Sequence, residues 1–542
     1  MNPENLMPFN LLATSTTPVV VIAIYLGLLL GLAMMSKLLF RGTSTDYFVA
    51  SRSIGPFMLL MSVFGTTMTA FALVGSTGKA FERGVGTYGL MASSSGLIHA
   101  ACFFLIGIKL WSFGKKYGYV TQIQFFRDRF ESKSIGYLLF PILVLLVIPY
   151  LLIGVIGAGK TIMGVTGPKG KSPPGMVPEF KSPGMFPELF ESTNGAVPGE
   201  LTGLIICLVV LCYIFAGGSR AAAWANTFQT IVFMVMGLLA FYLISDKLGG
   251  LGAAIAQAND AHLVRDVSGE DGKIGVPKLM FLTYMLIPLS VGMFPHLFQH
   301  WLTARSAKSF RLTVIAHPIC IMIVWVPCVL IGLWATGKLP AEGTSGGAVL
   351  AKMVGILVKD PIVVGLVTAG ILAAIMSSLD SQFLCLGTMF TNDVVLDKYG
   401  KDRFTDKQII LIARLFVVSI VIITYVFSIV LFEKSIFDLA VWSFSGFASL
   451  TPLVFAALYW KGATKAGAFA SIICATVVWL FFFKESGWGG EYTDYTGVLP
   501  AAFNGMMPVT FSFGAGLVAM IVVSLVTSKP AESTVNKFFP KF

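Results

Sequence analysis

The stretch "FGTTMTAFALVGSTG", residues 64–78, lies where a membrane helix is expected and is a poor one. A span of about 20 residues should be apolar nearly throughout. Here Gly65, Thr66, Thr67, Thr69, Gly75 and Gly78 interrupt the run. A second stretch, "LIPLSVGMFPHLFQHW" (286–301), is interrupted in the same way by Pro288, Gly292 and Pro295, with His296, Gln299 and His300 alongside. Lipid offers backbone groups no partner, so a helix breaks at membrane depth only where it lines a cavity or is buried in protein. Paired breaks at matching places in two halves of a chain mark the binding site of many transport folds. Ordinary Pro and Gly kinks are the competing explanation.

Composition places both stretches in a membrane. Of 542 residues, 56% are hydrophobic and 12% charged, and the mean hydropathy is +0.82. Soluble domains carry about 25% charged residues. The apolar runs are long and continuous, unlike the alternation of a barrel. The fold expected is therefore an all-α integral membrane protein. Thirteen spans are expected, at 18–40, 53–80, 84–112, 134–166, 200–217, 220–245, 275–301, 310–337, 361–390, 408–432, 435–460, 466–484 and 505–527.

The net charge of +11 raises nucleic acid as a partner in a soluble protein. Here the basic residues gather on alternate short loops, among them Lys37, Arg41, Arg52, Lys115, Lys116, Arg127, Arg305, Lys308, Lys401 and Arg403. That is the positive-inside pattern. It predicts a multi-pass protein of the plasma (inner) membrane, N-terminus outside and C-terminus cytoplasmic, without a nucleic-acid partner. No cleavable signal peptide is evident. The seven cysteines all fall in apolar segments and read as small core residues. The loop 167–199 holds a near-repeat, "KSPPGMVPEF" then "KSPGMFPELF", and is expected to be an external flap without a packed core.

One motif points elsewhere. "GVIGAGKT", Gly154 to Thr161, matches the phosphate-binding pattern G-x-x-x-x-G-K-[ST]. That loop needs a short strand before it. What precedes Gly154 is "YLLFPILVLLVIPYLLI", a membrane span in the making, and Lys160 falls near its external end. The match is read as chance and no nucleotide is expected. The small residues there suit close helix packing.

Polar groups inside a span point to function. "AAIMSSLDSQ", 373–382, puts Ser377, Ser378, Asp380 and Ser381 in an otherwise apolar helix. Such groups are costly in lipid. Hydroxyl, carboxylate and carbonyl oxygens suit hard cations. Segments 65–69 and 374–381 together offer such a set; hydroxyls bonded back to their own helix are the alternative.

Five segments resemble the sodium:solute symporter family, in that family's order. They are "DYFVASRSIGPF" (46–57), "GTTMTAFALVGSTGKAFERG" (65–84), "AGGSRAAAWANTFQ" (216–229), "GMFPHLFQHWLTARSAKS" (292–309) and "GILAAIMSSLDSQFL" (370–384). The resemblance implies the leucine-transporter fold with 5+5 inverted repeats. The first repeat would span 53–245 and the second 275–460. A leading helix and loop would occupy 1–52, and two trailing helices with a short tail 461–542. It also implies a sodium ion on the carbonyls of Gly65, Met68 and Ala374 and the hydroxyls of Ser377 and Ser378. Where many relatives have aspartate, this chain has Asn226. A second ion or proton site at Asn226, Asp380 and Ser381 then depends on whether Asp380 replaces the missing charge or is structural.

The resemblance places the solute near Thr66, Thr67, Thr69, Ala72, Ser94 in the 93–95 serine run, Ile287, Val291 and Phe294, with Gly292 and Pro295 at the gating break. No charged side chain stands among these positions. The function implied is sodium-driven symport of a small organic solute, such as an amino acid or monocarboxylate, by a monomer or weak homo-oligomer. A proton-coupled symporter and a transporter-like sensor are the alternatives, and no enzymatic activity is expected.

Overall fold

The computed structural model describes residues 15–38, 40–91, 94–168, 183–264, 274–358, 360–492, 503 and 505–540. Among these the chain is helical, with no strand and an isolated bridge between Ile54 and Ala304. Nine described helices are long and apolar enough to cross a bilayer, eleven if each of two bent pairs crosses as one. The expected thirteen requires two further choices. The first apolar helix, Thr17–Lys37, must count, and so must both arms of Gly199–Lys247, a single 49-residue helix where two spans were expected. At about 1.5 Å per residue that helix is twice the length a bilayer needs. Its backbone leaves helical geometry at Gly217 and Gly218, the latter at φ 54°. Tyr47 explains the second glycine: a Cβ on Gly218 would stand 2.4 Å from the Tyr47 carbonyl oxygen.

The ends of the helices follow from local chemistry. Thr121 and Thr405 each form a capping box with the glutamine three residues on. The segment Gly154–Thr161 lies inside the helix Lys133–Thr166 and not between a strand and a helix. A Cβ on Gly154 would meet Leu379 at 2.7 Å, and one on Gly157 would meet Ala70 at 2.8 Å. These glycines let two other helices approach. Lys160 donates to the Lys434 carbonyl at 3.0 Å. In the loop 167–199, residues 169–182 and with them the first copy of the near-repeat lie outside the described residues. The remainder is tied down more than a flap would be: the Met185 amide donates to Thr166 and the Phe186 amide to Gly195. Five cysteines are buried, but Cys212 is exposed and Cys474 half-buried, so the core reading fails for these two.

The segment 44–54 is strained in a way the sequence does not announce. Ala50, Ser51 and Arg52 have φ of 48°, 50° and 53°, a left-handed region that costs non-glycine residues about 1 kcal/mol or more each. Side chains from two neighbouring helices hold it, and its own Arg52 reaches carbonyls beyond it. Arg220 pairs with fully buried Asp46 at 2.6 Å and donates to the Ala50 carbonyl at 3.2 Å. Ser219 and Gln299 both donate to the Phe48 carbonyl. Arg52 donates to the carbonyls of Leu302, Gly114 and Tyr119.

Burial alone would raise the Asp46 pKa. The Arg220 guanidinium, the Arg41 amide and the Ser51 hydroxyl more than offset this and hold it below the ordinary value. A depressed carboxylate stabilises the fold above its unfolded pKa, about 4, and that contribution fades as pH falls through the lower folded value. Asp46→Asn leaves Arg220 without its charge partner. It is expected to lower stability by about 3–5 kcal/mol in thermal unfolding of the detergent-solubilised protein, and to remove this acid-side loss.

Candidate functional site

Both interrupted stretches are true breaks. The helix Pro56–Thr67 ends at Met68, whose ψ of 86° is not helical. The chain resumes at a 53° bend in Phe71–Arg83. Thr69 starts the second half, its hydroxyl accepting from the Phe71 amide at 3.0 Å. In the second stretch, a 3-10 turn at Ile287–Gly292 contains Pro288. Pro295 then opens Pro295–Thr303, bent by 48° from the helix before. Proline suits the first helical turn because it lacks the amide hydrogen that would go unbonded there.

Carbonyls at the breaks are taken by side chains of other helices. Tyr150 reaches Thr66 O at 3.4 Å, Gln122 reaches Met293 O at 3.2 Å, and Thr451 reaches Leu289 O at 3.2 Å. Ser377 donates to Gly65 O at 2.8 Å and lies 2.9 Å from Ala374 O. Three of the five expected ion-binding groups, Gly65, Ala374 and Ser377, therefore converge. Met68 is buried at the break itself. The Ser378 hydroxyl turns back to Ile375 O at 2.9 Å, the self-bonding alternative.

Beside this stands a second polar cluster. Ser381 Oγ lies 3.0 Å from Thr66 Oγ1, 2.9 Å from His300 Nε2 and 2.9 Å from Asp380 Oδ1. With its amide in one orientation, Asn226 donates to Ser381 and Thr66. Turned over, its nitrogen lies 2.9 Å from Asp380 Oδ2 and its oxygen accepts from Ser381. The second orientation is favoured, since a carboxylate needs a donor facing it. Thr66 thus belongs to this cluster and is not among the walls of the cavity between the breaks.

The cavity between the breaks is lined by Thr67, Ile287, Val291 and Phe294, as expected. Thr69, Ala72 and Ser94 are not among its walls; Ser95 is there in place of Ser94. Sequence reasoning missed His99, Ser290 and five rings: Phe71, Tyr150, Tyr284, Trp325 and Phe444. His99 carries the same signal as Asp380, an ionisable group inside an apolar span. The rings carry none in a chain with 45 phenylalanines.

A model of the sodium:solute symporter family matches residues 47–169 and 189–475. The chain belongs to that family, whose members are transporters. A sodium/proline symporter of Staphylococcus aureus is 26% identical over 540 residues, covering 96% of this chain and 95% of that protein. The same-named protein of S. aureus strain JH9 is 25% identical over the same shares. Among solved structures, a Na+-coupled sialic acid symporter in a substrate-bound outward-open state, described as revealing a novel Na+ site, superposes with a TM-score of 0.72. It is 16% identical and covers 96% of this chain and 100% of that one. A closed nucleobase-cation-symport-1 family transporter with bromovinylhydantoin bound gives 0.54 at 14% identity, over 91% and 97% of the two chains. The chain shares the fold of these two transporters.

Gly65 is the most tightly packed glycine of the first break. A Cβ there would stand 2.2 Å from Thr230 Oγ1, a hydroxyl held by Met61 O at 3.0 Å. Gly65→Ala is expected to lower stability by about 1–3 kcal/mol in thermal unfolding. Adding Thr230→Ala removes the obstructing atom and should restore most of the loss.

Proposed function

We propose that this protein is a sodium-driven symporter that carries a small organic solute into the cell by alternating access. The observation that carries the reading is the convergence of Gly65 O, Ala374 O and the Ser377 hydroxyl between a broken helix and the serine helix. Hard oxygen donors at a break suit a small monovalent cation. Sodium takes the carbonyls of Gly65, Met68 and Ala374 and the hydroxyl of Ser377, with Ser378 turning from Ile375 to complete the set. Bound there, it ties Pro56–Thr67 to Pro361–Met389 and orders the cavity beside Thr67. The repeats are 53–245 and 275–460, the leading segment 1–52 and the trailing segment 461–542. The basic loops face the cytoplasm in the plasma membrane, with the N-terminus outside. Family membership and the sodium-coupled relatives support sodium as the coupling ion.

One charge moving through 100 mV is worth about 2.3 kcal/mol, and a tenfold sodium gradient adds about 1.4 kcal/mol. Together these support accumulation of a neutral solute by roughly a few hundredfold at one sodium per cycle.

Asp380 favours a second ionic event. It is fully buried, and its observed partners are Ser381 and Asn226, both uncharged. It either shares a second cation with Asn226 and Ser381 or carries a proton. Asp380→Asn separates these from a structural role: unchanged ion stoichiometry, ion affinity and pH dependence of uptake would leave it structural.

The main site is tested without knowing the solute. Thermal stability of the purified protein is compared in sodium chloride and choline chloride. Sodium is expected to stabilise the wild type, by about 1.4 kcal/mol at ten times the dissociation constant, and Ser377→Ala is expected to lose that gain. No sodium effect in the wild type would overturn the reading.

A further inference from the structure

We propose that His99 selects the solute, that the group it takes is a carboxylate, and that His317 positions it from the sodium side. The inference rests on the sodium-symport reading and adds the substrate class.

Among the described residues lining the cavity there is no Asp, Glu, Lys or Arg. Its polar groups are the hydroxyls of Thr67, Ser95 and Ser290, two tyrosines and the His99 ring. His99 Nδ1 is buried without a hydrogen-bond partner, and so is His317 Nδ1. Buried polar atoms are nearly always paired, so two neighbouring exceptions beside a cavity point to a ligand. The rings stand 5.3 Å apart at 62°.

The hydrogen bonds behind them tie His317 to the end of the first broken helix. The Thr67 hydroxyl lies 2.9 Å from the Phe64 carbonyl oxygen and 3.1 Å from that of Val63. It also lies 3.1 Å from His317 Nε2 and shares a hydrogen bond with it. His317 is thus tied to Thr67 through Nε2 and wedged edge-on against Phe103 and Phe64, with ring centroids at 4.8 and 5.5 Å. Its fixed face orients His99, which reaches the cavity.

Thr67 adjoins Met68, where the first helix breaks. A sodium ion on Gly65 and Met68 orders Thr67, and through it His317 and His99. The same ion attracts an anionic head in this low-dielectric site and repels an ammonium. An ammonium would find no acid in the cavity wall; Asp380 is engaged by Ser381 in the adjoining cluster. A carboxylate finds the His99 N–H and the Ser95 hydroxyl. The rings of Phe71, Phe294, Trp325 and Phe444 take an apolar or aromatic body. The class is a monocarboxylate whose recognition needs no amine.

The test uses the purified full chain in sodium chloride, read by thermal shift. The probes are propionate, pyruvate, benzoate and phenylacetate, the amides of propionate and benzoate, and L-alanine and L-proline. At least one carboxylate is expected to stabilise at lower concentration than its amide or either amino acid. His99→Phe should weaken it about tenfold or more, equivalent to about 1.4 kcal/mol. His317→Gln should cut the sodium dependence of carboxylate affinity while the ligand-free melting temperature stays near that of the wild type. Equal carboxylate affinity in His99→Phe overturns the proposal. So does stabilisation by the amino acids alone, or by no carboxylate although sodium acts. Should His99→Phe fail to fold, unchanged affinity and sodium dependence in His317→Gln overturn it. A wild type that sodium does not stabilise brings down the symport reading itself, which separates the two failures.

Discussion

The rest of this structure depends on how two helices are broken at membrane depth without leaving backbone groups unpaired. Each unpaired group in hydrocarbon costs several kcal/mol, at least about 2. Ser377, Tyr150, Gln122 and Thr451 come from four different helices, and each takes a carbonyl freed at a break. The bundle is therefore arranged around the breaks. The Ser377 contact that satisfies Gly65 O joins two of the oxygens of the proposed ion site. The halves of that broken helix, Pro56–Thr67 and Phe71–Arg83, meet at 53°.

The breaks are also coupled to distant parts of the chain. Helix Gln122–Arg129 touches the second break through Gln122 and Met293 O. Its cap, Thr121, donates to Asp393 near the far end of the serine helix. Its neighbour Asp128 is held by Lys537 from the last described helix. The strap 44–54 does the same on another side, through Gln299, which bonds Phe48 O and Thr388. These are the contacts a movement of the broken helices has to rearrange.

Much of this was legible in residue order. Apolar runs of bilayer length, the Pro and Gly interruptions and the serine-rich stretch are local patterns, so the membrane class, both breaks and the helix bearing Ser377 could be read directly. Family segments in the right order added the candidate ion-binding positions proposed above. Errors arose where a pattern stops being local. Thr66 and Thr67 are adjacent in sequence, yet one hydroxyl faces Ser381 and the other His317. One residue step along a helix separates their directions by about 100°, and only the packed neighbours give those directions meaning. Ser94 was expected and Ser95 lines the cavity for the same reason.

By itself, the sequence determined that this chain crosses a bilayer repeatedly as helices, where two of them break, and which oxygen-bearing residues a cation site can draw on. These follow from hydropathy and backbone satisfaction, which depend on neighbours along the chain. Only the tertiary structure decided which groups meet. It placed Ser377 on Gly65 O, turned Ser378 back on its own helix, and held Ala50, Ser51 and Arg52 left-handed with no glycine among them. It also set His99 beside His317 across more than two hundred residues. Side-chain direction and long-range contact are properties of the packed bundle, and residue order carries no local mark of them.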